Sequence, residues 1–481
     1  MNKDFKYLPK DDRKKILLIC DDIRVHSGIA TVAKEIVMHT AQHFNWVQIA
    51  GAIQHPDKGK LLDLSVEINN QTQLEDSNVK LYPTDGYGNI EFVRELIKRE
   101  SPDAIMLITD PRYFEWLFNS EAEIRKNIPI SYLNIWDDYP APLYNKAFYE
   151  ACDLLMGISK QTVNINNIVL GSKAKNKITK YVPHGLNHKI YRPLETTEEI
   201  DAMEKMKLEI FGKDEVNFCL FFNSRNIRRK QIPDTLWAFK MFLDGLPKEE
   251  ADKCRILLHT ELSHEAGTDL PVVSELLFGN KYPNAVVFDT KKWSTEELNM
   301  LYNMTDCQIL LTSNEGWGLT LTEAMLAGNP IIANTTGGMQ DQMRFEDEDG
   351  KWFTPSPKVP SNNTGKYQKY GKWAFPVYPT SRSIQGSPQT PYIWDDRCKP
   401  EDATDRIREV YDLGPEKRKE LGAKAREWCL SEEAGFTAEQ QGKRVIEALD
   451  ELFNTWEPRE AFEVIDTDED IRKIQTHNLV Y

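Results

Sequence analysis

The run Ile16-Leu17-Leu18-Ile19-Cys20 constrains the fold more than any other stretch of the chain. An unbroken apolar run stopped by Asp21-Asp22 fits a strand covered on both faces, as in a parallel sheet flanked by helices. The chain then passes Ser27-Gly28, takes a helical pattern from Ile29 to about residue 43, and returns to an apolar run at 46–50. Strand, loop, helix, strand opens a βαβ unit. The pattern recurs at 103–108, 128–135 and 154–159, where strand runs end in Thr109-Asp110, Trp136-Asp137-Asp138 and Ser159. Polar residues just past strand C-termini are where open parallel sheets build ligand sites.

Near residue 195 the texture changes. Tyr191-Arg192-Pro193-Leu194 gives way to a charged stretch, 195–215, and a fresh strand run at 216–222 opens a second series, with strands at 255–259, 285–288, 307–312 and 330–334. The expected class is α/β, with two tandem doubly wound Rossmann-like domains, 1–195 and 196–456, and the cleft between them as ligand site. Residues 351–393 break the rhythm with Pro, Gly, Ser and Asn and read as an insertion. Residues 457–481 read as a C-terminal tail expected to pack back on the first domain. With 481 residues, 40% of them hydrophobic, the chain can bury two cores.

Composition excludes several classes. Lys and Arg number 60 against 75 Asp and Glu, and the resulting −15 argues against a general binder of nucleic acid or anionic membrane. Nowhere do 18 apolar residues run together, so no membrane span is expected. The N-terminus has no signal-peptide pattern, and the 7 cysteines include no CxxC, so they read as reduced core thiols of a cytoplasmic protein. No HExxH or paired histidine spacing calls for a metal, and no GxSxG suggests a hydrolase.

Two constellations carry candidate chemistry. In the stretch Ser313 to Ala324, glycines at 316 and 318 flank Trp317, so the backbone can turn sharply and approach a ligand. The amides of Leu319 and Thr320 open the following helix and can hold an anion. Glu315 in the loop and Glu323 in the helix can each take a pair of sugar or ribose hydroxyls; the bland alternative is a cap and a solvated helix residue. The second constellation is Arg225-Asn226-Ile227-Arg228-Arg229-Lys230, a basic run just past a strand in an acidic protein. It reads as a clamp for a diphosphate or as a solvated charge run. Gly28 adds a third, weaker signal, a close phosphate approach on the first loop.

Together these blocks resemble the family 4 retaining glycosyltransferases of GT-B fold. Glu315 to Glu323 is similar to that family's E-x7-E segment, and Arg225 and Lys230 stand five apart as in its phosphate-binding G-R-x4-K pattern, with Asn223-Ser224 in place of the glycine. Asp153 to Ser159, Val182-Pro183-His184-Gly185 and Thr336-Gly337-Gly338 resemble further signatures. The resemblance implies a nucleotide-sugar donor, with a UDP-sugar favoured, and no metal or other cofactor. Arg225 and Lys230, with amides at Gly28, Gly318, Leu319 and Thr320, would neutralise the departing diphosphate. Glu315 would hold the donor sugar and Glu323 the ribose, and front-face attack would need no protein nucleophile. Where many members carry a histidine, this chain has Trp136-Asp137-Asp138, and Asp137 becomes the candidate to orient or deprotonate the acceptor hydroxyl.

The expected acceptor is a soluble hydroxyl compound, a glycan or a protein. Hydroxymethylated bases of phage-type DNA are an alternative, because Lys351, Lys358, Lys366, Lys369 and Lys372 interleave with Trp352, Tyr367, Tyr370 and Trp373 in the insertion. A reading of another class is a non-catalytic scaffold that binds nucleotide sugars.

Overall fold

The computed structural model describes residues 7–52, 54–358 and 361–459. Two parallel sheets follow one another along the chain. The first holds β1 (Lys14–Asp21), β2 (Phe44–Ala52), β3 (Leu62–Asp63), β4 (Val79–Asp85), β5 (Ala104–Ile108), β6 (Ile130–Asn134), β7 (Leu154–Gly157) and β8 (Ile178–Tyr181), in the order 3-4-2-1-5-6-7-8. Only the short β3 is antiparallel. The second holds β9 (Phe218–Asn223), β10 (Cys254–His259), β11 (Val286–Asp289), β12 (Cys307–Leu310), β13 (Ile331–Asn334) and β14 (Ala374–Val377), in the order 11-10-9-12-13-14.

The local causes are plain. Ile16 to Cys20 are fully buried between β2 and β5, as an unbroken apolar run requires. The helix α1 (Gly28–Thr40) starts where the Ser27 hydroxyl accepts the Ala30 amide, and α2 (Lys160–Leu170) starts in the same way at Ser159. Six of the seven cysteines are buried and all are unpaired.

Two expectations need correction. The stretch 351–393 is not one irregular insertion: Ala374–Val377 is β14, pairing with β13 along its length, and β15 (Ser381–Ser387) and β16 (Thr390–Arg397) form a hairpin. Its aromatic residues do not present a stacking platform. Trp352 meets Trp428 and Phe436, Trp373 stacks on Trp428, Tyr367 lies 4.4 Å from Phe353, and Tyr370 packs on Phe345.

The helix α5 follows α3 (Leu319–Ala327) and α4 (Met339–Met343) and spans Ala438–Thr455. The sequence boundary at 456 groups it with the second sheet, yet it packs on α1, β7 and β8 of the first. Its buried face, Val445, Ile446, Leu449 and Leu452, finds its apolar partner there. Of the tail at 457–481 only 457–459 fall among the described residues, and the Arg459 amide donates to Arg125 O at 2.8 Å. Among the described residues no helix is long and apolar enough to cross a membrane.

Candidate active site between the two sheets

In each sheet the strand order reverses beside the unit's first strand, between β1 and β5 and between β9 and β12. That reversal leaves a crevice at the carboxyl ends of the strands. The loops leaving β1, β6, β9 and β12 meet there, and close backbone approach makes it possible. A Cβ on Gly337 (φ +55) would stand 1.7 Å from Glu315 O, and one on Gly316 2.7 Å from Ile135 O. Both positions therefore accept only glycine. A Cβ on Gly28 would lie 3.2 Å from the Leu319 side chain, so the first loop of the first sheet faces the start of α3.

Glu315 sits at the centre. Its Oε2 accepts from Arg229 Nη1 at 2.9 Å and from Lys230 Nζ. Burial pushes its carboxyl up, and the Arg229 and Lys230 charges overcome that and hold it well below the usual carboxylate range. Burial pushes the Lys230 ammonium down, with Glu315 opposing. Asp137 lies on the same cluster from the first-sheet side, where the Gly316 amide donates to its carboxylate. Burial raises Asp137, Arg229 pulls it back, and the neighbouring Glu315 raises it further. The backbone is tied as well: Arg229 O accepts from Ser313 N at 2.8 Å and from the Thr312 and Ser313 hydroxyls.

The start of α3 is open. Gly318 (φ +87) provides the turn and no side chain caps the helix, leaving the Leu319 and Thr320 amides without a side-chain acceptor. One helix turn on, Glu323 is buried; its Oε2 accepts the Tyr302 hydroxyl, and Tyr191 also donates to it. Burial raises its carboxyl and the two tyrosines oppose this.

The structure thus brings together Asp137, Lys230, Glu315, Gly318, Leu319, Thr320 and Gly28, with Glu323 behind them. It does not bring Arg225 into the cluster. Arg225 is exposed and its charge falls on Glu261. Arg229 is the arginine in contact with Glu315, a residue counted in the basic run but given no role. Nothing in the spacing separates the two arginines; the 3-10 turn Arg228–Lys230 decides which side chain faces inward. Tyr302 carries no signal in the sequence, since its part in the site is set by a tertiary contact with Glu323. Among the described residues no group of three His, Cys, Asp or Glu side chains is placed to hold a metal ion.

Comparison with known proteins bears on the fold and on part of the second unit. Residues 279–359 match the family model described as Glycosyl transferases group 1. The alpha-monoglucosyldiacylglycerol synthase of Acholeplasma laidlawii is 28% identical over 155 residues, which cover 31% of this chain and 34% of that protein. The chain therefore spans about a third of this curated relative's length. Among solved structures, a sucrose-phosphate synthase from Thermosynechococcus elongatus superposes with a TM-score of 0.63 at 15% identity, over 92% of this chain and 100% of that one. A glycosyltransferase from Rickettsia africae gives 0.62 at 14% over the same shares. Anabaena HepE, solved with UDP and glucose, gives 0.61 at 13%, again over 92% and 100%.

Proposed function

We propose, from the premise that this chain is a GT-B protein carrying a glycosyl transferases group 1 domain, that it moves a sugar from a nucleotide donor to an acceptor hydroxyl with retention of configuration. The observation that carries the reading is the Arg229–Lys230–Glu315 cluster beside the uncapped start of α3. Glu315 acts as internal counter-ion to buried Lys230 and half-buried Arg229. An incoming diphosphate takes over those cations and frees Glu315 for the hydroxyls of the donor sugar. Arg229, Lys230 and the amides of Leu319 and Thr320 then stabilise the charge that develops as the nucleoside diphosphate leaves. Arg225, exposed at the rim, is close enough in sequence to join them when the donor is bound.

UDP is the favoured nucleotide, supported by the neighbours solved with UDP and glucose and with UDP-2-fluoro glucose. Glu323 binds the ribose by exchanging a tyrosine hydroxyl for a sugar hydroxyl. Asp137, half-buried and raised by burial, orients the acceptor hydroxyl and can hold its proton. The leaving phosphate itself is the other proton acceptor, so the reaction uses no protein nucleophile. Charge neutralisation is assigned to side chains and amides, and no step is given to a metal ion. The acceptor, a soluble hydroxyl compound, glycan or protein, enters over the first sheet.

The test is thermal stabilisation by UDP, GDP and ADP and their sugar conjugates, with Glu323→Ala alongside. A ligand at about 100 times its Kd adds about 2.7 kcal/mol to the folded state. One nucleotide family should raise the melting temperature, and Glu323→Ala should blunt the rise. No shift with any of them removes the donor site, and with it both the transferase and the nucleotide-sugar scaffold readings.

A further inference from the structure

The hairpin at 381–397 does more than follow the second sheet. Its β16 runs between the loop carrying Asp137 and the loop carrying Glu315, and it bonds to both. The Trp394 amide donates to Tyr139 O at 2.7 Å, the Asp396 amide donates to Ser313 O at 2.9 Å, and Asn314 Nδ2 donates to Trp394 O at 3.3 Å. Tyr392 doubles the tie to the first sheet: its hydroxyl accepts the Leu143 amide and donates to Ala141 O, while the Tyr144 hydroxyl donates to Tyr392 O.

Beneath β16 lies Asn362, which is buried. Its Nδ2 stands 3.0 Å from both carboxylate oxygens of Asp138 and 2.8 Å from Asp396 Oδ2. Its Oδ1 accepts from the Gly337 amide at 3.2 Å and from Gln340 Nε2 at 3.0 Å. A primary amide has two hydrogens, and here each faces a different buried carboxylate. Asp138 belongs to the loop after β6, Gly337 to the loop after β13, and Asp396 to the hairpin, so one side chain joins three segments. The remaining donors are Arg382 on Asp396, and Gln161, Thr336 and the Tyr139 amide on Asp138. Burial and the neighbouring Asp396 both push the Asp138 carboxyl up, and the donors from Asn362, Thr336 and the Tyr139 amide oppose this.

We propose that Asn362, with β16, is the positioning residue of the proposed transfer, holding the acceptor-side Asp137 loop at a fixed separation from the donor-side Glu315 loop. This rests on the functional reading above for its purpose, though the clamp itself can be tested without a donor.

Asn362→Asp replaces the bridging donor with a third acceptor facing Asp138 and Asp396, with Arg382 as the nearby cation. Hydrogen exchange then reads the two loops directly. Amides in 136–145 and in 311–319 should exchange about tenfold faster, while those of β1 and β9 stay protected. The swap Asn362→Asp with Asp138→Asn returns a donor to the pair and should restore protection. If Asn362→Asp does not fold, Asn362→Ala carries the same measurement. Exchange unchanged in both loops, or faster only within 361–397, overturns the proposal, as does failure of the swap to rescue. In turnover, release of UDP from UDP-glucose by water should lose about tenfold in kcat with KM held within about twofold, since donor contacts are untouched. A loss confined to KM also overturns it. Wild-type protein that binds none of UDP, GDP and ADP and turns over none of their sugar conjugates, yet shows the exchange result, refutes the functional reading and leaves the clamp standing.

Discussion

At the scale of single residues, the cleft is a problem in charge burial. Glu315, Lys230 and half-buried Arg229 are stable only as a set. Glu315→Gln removes the carboxylate but keeps the shape, leaving Lys230 buried against a neutral amide at a cost of about 3 kcal/mol. The sign follows from the depressed carboxyl: its contribution is present above the ordinary glutamate value of about 4.3 and is lost as pH falls through the folded value. Urea midpoints of wild type and Glu315→Gln should therefore differ at pH 7 and converge as pH falls below about 4. A gap that persists at low pH would assign the loss to packing.

Among elements, the contact between α2 and α4 decides how the sheets meet. Asp341 Oδ2 accepts the Lys160 amide at 2.8 Å and the Tyr181 hydroxyl at 3.0 Å. Burial raises its carboxyl to about 6. The folded protein thus binds this proton more tightly than the unfolded chain, so stability rises as pH falls through about 6 toward the ordinary value of about 3.9. Asp341→Asn can keep both bonds through its carbonyl oxygen without the buried charge. It should melt higher than wild type at pH 7.5, by about 2 kcal/mol of stability, and equal it near pH 4. Lower melting at both pH values would show that the charge itself supports the contact.

For the whole molecule, the two sheets do not behave as beads on a string. The chain crosses back at Thr437, where a Cβ on Gly185 would stand 2.1 Å from Thr437 O, and α5 then packs on α1. Trp352 and Phe353 accept the Lys160 ammonium, which also lies 3.5 Å over the Trp352 ring. With α5, the hairpin and Asn362 all spanning the cleft, calorimetry should show one unfolding transition whose calorimetric and van't Hoff enthalpies agree. Two resolved transitions would show that these crossings contribute little.

The sequence by itself determined the elements whose causes are local. Apolar runs such as 16–20 and 104–108 became buried parallel strands because a strand covered on both faces has no polar side to place. Ser27 and Ser159 marked helix starts through caps that need only neighbouring residues. The Glu315 to Glu323 stretch and the basic run lay where strand ends and glycines pointed. Tertiary structure alone decided which arginine turned inward, because Arg225 and Arg229 carry the same charge and differ only in how the 225–230 loop winds. It alone put β14 on a sheet edge and α5 on the first unit, since an apolar face shows that it will be buried but not against what. Asn362 shows the limit most clearly: an asparagine in a polar stretch, its role set by two carboxylates 224 and 34 residues away along the chain.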